Sequence, residues 1–286
     1  MSPMTLSVGE LLRKAGDLPP LPQVAQKALT LIRDPDSNMG DLAQVLSLDQ
    51  AMTSLVLRWA NSAYYGLPSP VSTVQQAVMY LGQNTLQSLV LTASVASYMD
   101  RSVPGYGLDR GELWKHSVGV AAGARLVASK FGKEIGEAAY HAGLLCDIGK
   151  LAFEVVLRET DTTGPEWKDV SFAELEKTHF GIDHAALGAI MASKWKLPES
   201  LQEAIACHHQ PALAKDHILL ASSVHVADAA MMMLGIGLGK DGLQYEIDSA
   251  AFNRCGFNET NLGELFTKVS ALLKEVESLV GLTRSI

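Results

Sequence analysis

A 286-residue chain that is 48% hydrophobic and 19% charged can bury the core of one large or two ordinary domains, which excludes a disordered, collagen-like or disulfide-stapled molecule. Its 23 Lys and Arg against 31 Asp and Glu give a formal charge of −8, with the basic residues scattered singly, so no nucleic-acid partner is expected. Cys146, Cys207 and Cys255 are odd in number and widely spaced, which fits free thiols in a reducing compartment, and the first residues carry no charged-then-apolar leader, so a cytoplasmic location is expected.

Helical periodicity runs through nearly the whole chain without a convincing alternation of period two, so the expected fold class is all-α. Pro22 can open a helix, since Val24, Ala25, Ala28, Leu29 and Ile32 form one stripe that stops before Asp34 and Pro35. Further stripes follow at Leu42, Val45 and Leu46, at Leu55, Val56 and Trp59, at Val74, Ala77, Val78 and Leu81, and at Leu86, Leu89, Val90 and Ala93. Gly66, Pro68 and Pro70 end the third of these five, and Gly82 ends the fourth.

The segment from Asp100 to Gly111 combines one Pro, three Gly and several charges, and is the best internal boundary. Residues 1–100 read as an N-terminal helical subdomain and residues 101–286 as a helical bundle with C-terminal helices. In the second part, helices are expected near 112–130, 134–146, 172–179, 183–196, 199–208, 217–234, 247–254 and 261–280, with a polar loop over Thr160 to Asp169. The stretch from Ile218 to Gly239 is apolar enough to suggest a membrane span, yet it holds His225 and Asp228. An aspartate at mid-bilayer costs roughly 2.5–3.5 kcal/mol, so the expectation is a buried helix whose polar residues need partners, with no membrane span.

The residues able to carry chemistry fall on or at the ends of these helices. Glu112 and His116 are four apart and share a helix face; Cys146, Asp147, Gly149 and Lys150 end an apolar helix; His184 opens a helix after Asp183; His208 and His209 close one before Pro211; Asp228 lies between Ala227 and Ala229. Imidazole and carboxylate suit Zn, Fe, Mn or Ni, and facing helices are how bundles build metal sites. Each residue also has a plainer reading. A lone His on an apolar helix is commonly a hydrogen-bonded core residue, two adjacent His cannot both face inward on an ideal helix, Glu112 can favour a helix N-terminus and Lys150 a helix C-terminus. Asp228 is harder to explain without a cation or several donors, because an ionised carboxylate in apolar surroundings is costly.

Other chemistries fit poorly. Between Gly143 and Lys150 the glycines are too far apart for a phosphate-binding loop, and Leu151 stands where Ser or Thr would bind Mg. Gly235-Ile236-Gly237-Leu238-Gly239 follows a helix instead of a strand, which makes it a flexible turn and not a dinucleotide fingerprint.

The order His116, Cys146-Asp147-Ile148-Gly149-Lys150, His184, His208-His209, Asp228 resembles the HD superfamily of metal-dependent phosphohydrolases, named for a His-Asp pair at the position of Cys146-Asp147. More closely, the chain is similar to HDOD domain proteins, a bacterial signalling branch of that superfamily. That resemblance covers about residues 17 to 235 and rests on Leu18 to Pro22, on Leu48-Asp49-Gln50 through Leu55 to Tyr65, and on Val74 to Val78 with Leu81-Gly82. It implies an N-terminal helical layer packed on an HD-type helical bundle. It also implies that His116, Asp147, His184, His208, His209 and Asp228 are metal ligands for one or two divalent ions (Fe, Zn, Mn or Ni). Glu112 matches an extra ligand, and Lys150 a phosphate-contacting lysine, of the branch that degrades cyclic di-GMP.

Cys146 departs from the family pattern. A thiolate there could still ligate a metal, but it adds negative charge where the pattern has a neutral imidazole, which makes bound water less acidic. Alternatively Cys146 is a small apolar filler. The expectation is therefore a regulatory module without efficient catalysis that binds a regulatory protein or a small ligand such as a nucleotide. The competing expectation is an active metal-dependent phosphohydrolase or cyclic-nucleotide phosphodiesterase in which Asp147 and Lys150 are catalytic.

Overall fold

The computed structural model describes residues 8–14, 22–33, 38–62, 65–158, 160, 170–240, 242–245, 247–258 and 263–271. The expected polar loop after Thr160, most of the Leu18 to Pro22 motif, Ala63-Tyr64 and the end of the last expected helix lie outside the described residues. Among the described residues every extended element is helical, as the periodicity predicts, and one isolated bridge joins Val103 to Leu108. In chain order the helices are α1 (Val8–Lys14), α2 (Gln23–Arg33), α3 (Met39–Ser47), α4 (Gln50–Ala60), α5 (Val74–Leu81), α6 (Gln83–Met99), α7 (Glu112–Ala128), α8 (Lys133–Leu145), α9 (Lys150–Leu157), α10 (Phe172–Phe180), α11 (His184–Lys194), α12 (Glu199–Ala206), α13 (Ile218–Met233) and α14 (Ser249–Arg254). A final helix covers 263–271.

The chain divides into two compact units. Among the described residues, one runs from Pro22 to Tyr98, and the other comprises α1 with the described residues from Met99 to Ser270. In the smaller unit, helix starts follow from short polar caps. Asn38 and Asp41 form a reciprocal capping box on α3, Asp49 accepts the Met52 N–H at 3.0 Å on α4, and Thr73 caps α5. Asn61 ties the intervening loop by donating to the Val71 carbonyl at 2.8 Å and accepting the Val71 N–H at 2.7 Å. Leu42, Leu46, Val56, Trp59, Val74 and Val78 are buried where α3, α4 and α5 meet.

In the larger unit α7 is the central helix, packed against α8 and α13. It is buried on nearly every side, which its run of small residues from Gly119 to Ala124 allows. On α8, a Cβ at Gly143 would stand 3.0 Å from the Val120 carbonyl oxygen, so glycine permits the α7 and α8 backbones to approach. Trp114, Tyr140 and Phe153 are fully buried, and large apolar side chains contribute roughly 1.5–3 kcal/mol each when taken from water.

No helix among the described residues is long and apolar enough to cross a membrane. The apolar stretch from Ile218 is instead the interior helix α13, and its polar side chains have partners, as expected. Ser222 and Ser223 bond back to the carbonyls of Ile218 and Leu219. His225 donates from Nδ1 to the His208 carbonyl at 2.9 Å and accepts the Asp248 N–H at 3.0 Å.

Candidate metal centre

Five segments of the larger unit converge. α7 carries His116, the turn between α8 and α9 carries Asp147, α11 begins with His184, the bend after α12 carries His208 and His209, and the middle of α13 carries Asp228. Asp183 fixes the start of α11 by accepting the Ala186 N–H at 2.8 Å, and its other oxygen pairs with Lys177 at 2.9 Å. Gly149 lets the α8–α9 turn touch α11 backbone to backbone. A Cβ there would lie 2.9 Å from the Gly188 nitrogen and inside van der Waals contact of the His184 carbonyl. This close approach sets Asp147 beside His184.

One ligand atom each from Asp147, His184, His208 and His209 lies within 4.8 Å of all the others. The Oδ1 of Asp147 is 3.3 Å from His184 Nε2 and 3.9 Å from His208 Nε2, and its Oδ2 is 2.9 Å from Lys150 Nζ and 3.4 Å from His116 Nε2. His116 Nε2 also lies 2.9 Å from Asp228 Oδ1, and His209 Nε2 lies 2.8 Å from His184 Nε2. Both adjacent histidines therefore face inward, contrary to the helical expectation, because α12 ends at Ala206 and releases them from helical geometry.

The far side of three rings is occupied by oxygen acceptors. His116 donates from Nδ1 to the Ile236 carbonyl at 3.0 Å, His208 to the Ile205 carbonyl at 2.8 Å, and His184 to the Glu176 carboxylate at 2.7 Å. With Nδ1 protonated in each, Nε2 is the nitrogen presented to the centre, as in metal-ligating histidines.

Burial opposes every charge here, and neighbours decide the outcome. Burial would raise Asp147, but the Lys150 charge and the His184 hydrogen bond hold its carboxyl well below the usual range. Asp228 is held low against burial by its hydrogen bond to His116, and His116 is raised against burial by the same bond. Burial would lower His184, yet the Glu176 charge and the hydrogen bonds to Asp147 and Glu176 push it up to about 10. Burial lowers His208, and burial with the charges of His208 and His184 lowers His209 well below its ordinary value.

The donor set fits a divalent metal. Burial favours neutral His208, whose proton is on Nδ1, so its buried Nε2 is a lone-pair acceptor; it has no hydrogen-bond partner among the described residues, and it faces Asp147 Oδ1. Two acceptors turned toward each other call for a cation between them, and an imidazole and carboxylate set suits Zn, Fe, Mn or Ni.

Other sequence candidates lie differently. Glu112 is exposed at the start of α7, where its carboxylate accepts the Asp109 N–H at 2.6 Å. Cys146 is buried in the turn, but its thiol donates to the Gly143 carbonyl at 3.2 Å, and burial pushes it well above the ordinary thiol value. Sequence reasoning passed over Glu176, Tyr245 and the Ile236 carbonyl. Glu176 had a legible signal: it lies four residues from both Phe172 and Phe180, on the apolar stripe of α10. The glycine-rich turn after α13 is absorbed into the site, since Gly235 and Gly237 adopt φ of 78° and 75° and carry the Ile236 carbonyl to His116.

A protein of Treponema pallidum (strain Nichols), named only as uncharacterized, is 25% identical over 225 residues, covering 76% of this chain and 43% of that protein, so the chain spans less than half of that relative. The crystal structure of an HDOD domain protein of unknown function from Geobacter sulfurreducens matches with a TM-score of 0.70 at 25% identity, covering 96% of this chain and 98% of that one. A protein of Shewanella amazonensis SB2B, provisionally named a phosphohydrolase, matches in fold with a TM-score of 0.72 at 24% identity, covering 95% and 97% of the two chains. Residues 18–211 match the HDOD domain, which takes in four of the five converging segments, and the chain belongs to the HDOD domain family.

Proposed function

We propose that this chain is a bacterial regulatory module of the HD superfamily that holds one or two divalent ions without efficient turnover of phosphoesters. Asp147, His184, His208 and His209 would hold the metal, with His116 and Asp228 beside them. The proposed ligand set leaves out Glu112 and Cys146, whose polar atoms are engaged by Asp109 and Gly143. One observation supports the non-catalytic reading: most of the ligand side chains are buried, and an aromatic ring covers the half-buried one. Asp147, His116, His184, His208 and Asp228 are each no more than 3% exposed, and Tyr245 lies on the ring of half-buried His209. A catalytic metal keeps an open coordination position for water or substrate, whereas a structural site is filled by protein ligands. Signalling through a protein partner or a small ligand such as a nucleotide is the role that the HDOD family suggests. Free Cys146, Cys207 and Cys255 suit action in a reducing cytoplasm.

A second reading, a metal-dependent phosphohydrolase or cyclic-nucleotide phosphodiesterase, is favoured by the Lys150 ammonium. It stands 2.9 Å from Asp147 and would offer a phosphate oxygen a positive partner. When bound, a divalent ion would supply Lewis acidity there. Elemental analysis of untagged protein, with Asp147→Ala and Cys146→Ala variants, tests the metal. The expected result is metal in the wild type and in Cys146→Ala and its loss in Asp147→Ala; substoichiometric metal in all three overturns the metal site. Incubation with cyclic dinucleotides and generic phosphoesters tests turnover. Hydrolysis by the wild type that disappears in Asp147→Ala would establish the second reading in place of the first.

A further inference from the structure

The ring of His184 is held by a carboxylate outside the converging group. Glu176 on α10 is fully buried. Its Oε2 accepts both the His184 backbone N–H at 2.5 Å and the His184 Nδ1–H at 2.7 Å. Its Oε1 accepts the hydroxyl proton of Tyr106. Tyr106 is itself buried and fixed: its ring lies against Phe172 with centroids 4.6 Å apart, and its carbonyl accepts the Lys240 N–H at 2.9 Å. Three donors thus lock both oxygens of Glu176, and the carboxylate locks a ring whose Nε2 lies 3.3 Å from Asp147 Oδ1 and 2.8 Å from His209 Nε2.

A buried carboxylate is a costly way to tie two helices together, since well-packed apolar residues of similar size commonly serve as well or better. Its presence on the apolar stripe of α10 calls for a role that an apolar residue cannot fill. We propose that Glu176, steadied by Tyr106, is the positioning residue of the metal centre: it fixes the Nδ1–H form and the tilt of His184, aims Nε2 at the site of the cation, and strengthens that nitrogen as a donor. This rests on the metal-binding reading given above. A carboxylate behind a ligating imidazole is a general device for setting ring orientation and basicity, and loss of such a partner typically weakens metal affinity roughly 10- to 100-fold.

The test uses the full chain. Zn2+ and Mn2+ affinities are measured by titration for wild type, Glu176→Gln, Glu176→Met and Tyr106→Phe, beside the unfolding midpoint of each metal-free protein. Glutamine is isosteric and its carbonyl still accepts from His184, whereas methionine removes the acceptor. The expected order is a loss of affinity largest in Glu176→Met, roughly 10- to 100-fold, smaller in Glu176→Gln, and smallest in Tyr106→Phe. Long-range proton–nitrogen spectra of the Zn2+-loaded wild type should show His184 protonated at Nδ1 and ligated at Nε2, with the Nδ1 signal displaced in Glu176→Met. Should a Glu176 variant fail to fold, Tyr106→Phe, which deletes one hydroxyl, still reads the effect. Variants that bind both ions as tightly as the wild type while unfolding at lower temperature would overturn the proposal and leave Glu176 a structural tie. A wild type that binds neither ion would instead overturn the metal-binding reading, and the positioning role with it.

Discussion

Tyr245 lies flat on His209, with ring centroids 4.6 Å apart and planes 19° from parallel. The tyrosine comes from the glycine-rich connection between α13 and α14. That connection also supplies the Ile236 carbonyl to His116 and the Lys240 N–H to the Tyr106 carbonyl. One segment thus roofs the centre and orients part of it.

Removing the roof should speed exchange without removing a ligand. An aromatic pair contributes about 0.5–1.5 kcal/mol beyond simple burial, so Tyr245→Ala is expected to let a chelator strip bound Zn2+ roughly 2- to 12-fold faster than from the wild type. Tyr245→Phe, which keeps the stacked ring, should not. Stopped-flow chelation checks this, and equal rates for all three proteins would show that the ring does not guard the site.

Gly149→Ala should be among the most damaging single-methyl additions in the chain. The new Cβ meets backbone atoms of His184 and Gly188, which cannot swing aside as a side chain can. A loss of about 3 kcal/mol in urea unfolding is expected, at the upper end of overpacking effects. Gly235→Ala is the control. Its φ of 78° carries a left-handed penalty of about 1–2 kcal/mol, but no atom lies within 4 Å of the added Cβ.

Lys150→Met should destabilise the metal-free protein by about 3 kcal/mol, because Asp147 would lose the cation that contributes most to holding it ionised. A divalent ion beside Asp147 would replace much of that positive charge. The deficit relative to wild type should therefore shrink when unfolding is repeated in saturating Mn2+. A deficit that is the same with and without the ion would argue against an ion beside Asp147.

Away from the site, Glu203 sets a pH dependence. Its carboxylate accepts the backbone N–H groups of Lys215 at 2.7 Å and His217 at 2.8 Å, with Asp216 at longer range, and so closes the connection into α13. These bonds to the ionised form lower its pKa below the ordinary 4.5. The native state therefore binds the proton less tightly than the unfolded chain. The stabilisation is full above pH 4.5 and disappears as pH falls through the lowered native value. Glu203→Gln should cost about 1 kcal/mol near pH 7, given the exposure of the group, and its deficit should narrow in acid. A constant deficit from pH 7 to pH 3 would rule out the carboxylate charge as its source.

Much of the helical frame was legible in advance, because local periodicity and caps act over a few residues. The stripe at Val74, Ala77, Val78 and Leu81 is α5, capped by Thr73 and ended at Gly82, and the Asp183-His184 start of α11 is marked by an aspartate whose side chain caps the helix. The expected helix over 199–208 runs too long. α12 stops at Ala206, and the His208 ring donates to the Ile205 carbonyl, a contact that no hydrophobic period encodes.

The sequence by itself determined an all-helical chain, the buried character of α13, and an ordered set of imidazoles and carboxylates resembling the HD pattern, since these follow from spacing and residue type. Only the tertiary structure decided which of those groups meet. Asp147 and His184 are neighbours because two helix starts touch at Gly149, and His116 and Asp228 pair across 112 positions of sequence. Cys146 and Glu112, close in sequence to converging residues, turn to nearby backbone atoms instead. Glu176 and Tyr245, outside every motif, are drawn in by packing, since side-chain hydrogen bonds and ring stacking depend on distances that the folding of distant segments alone creates.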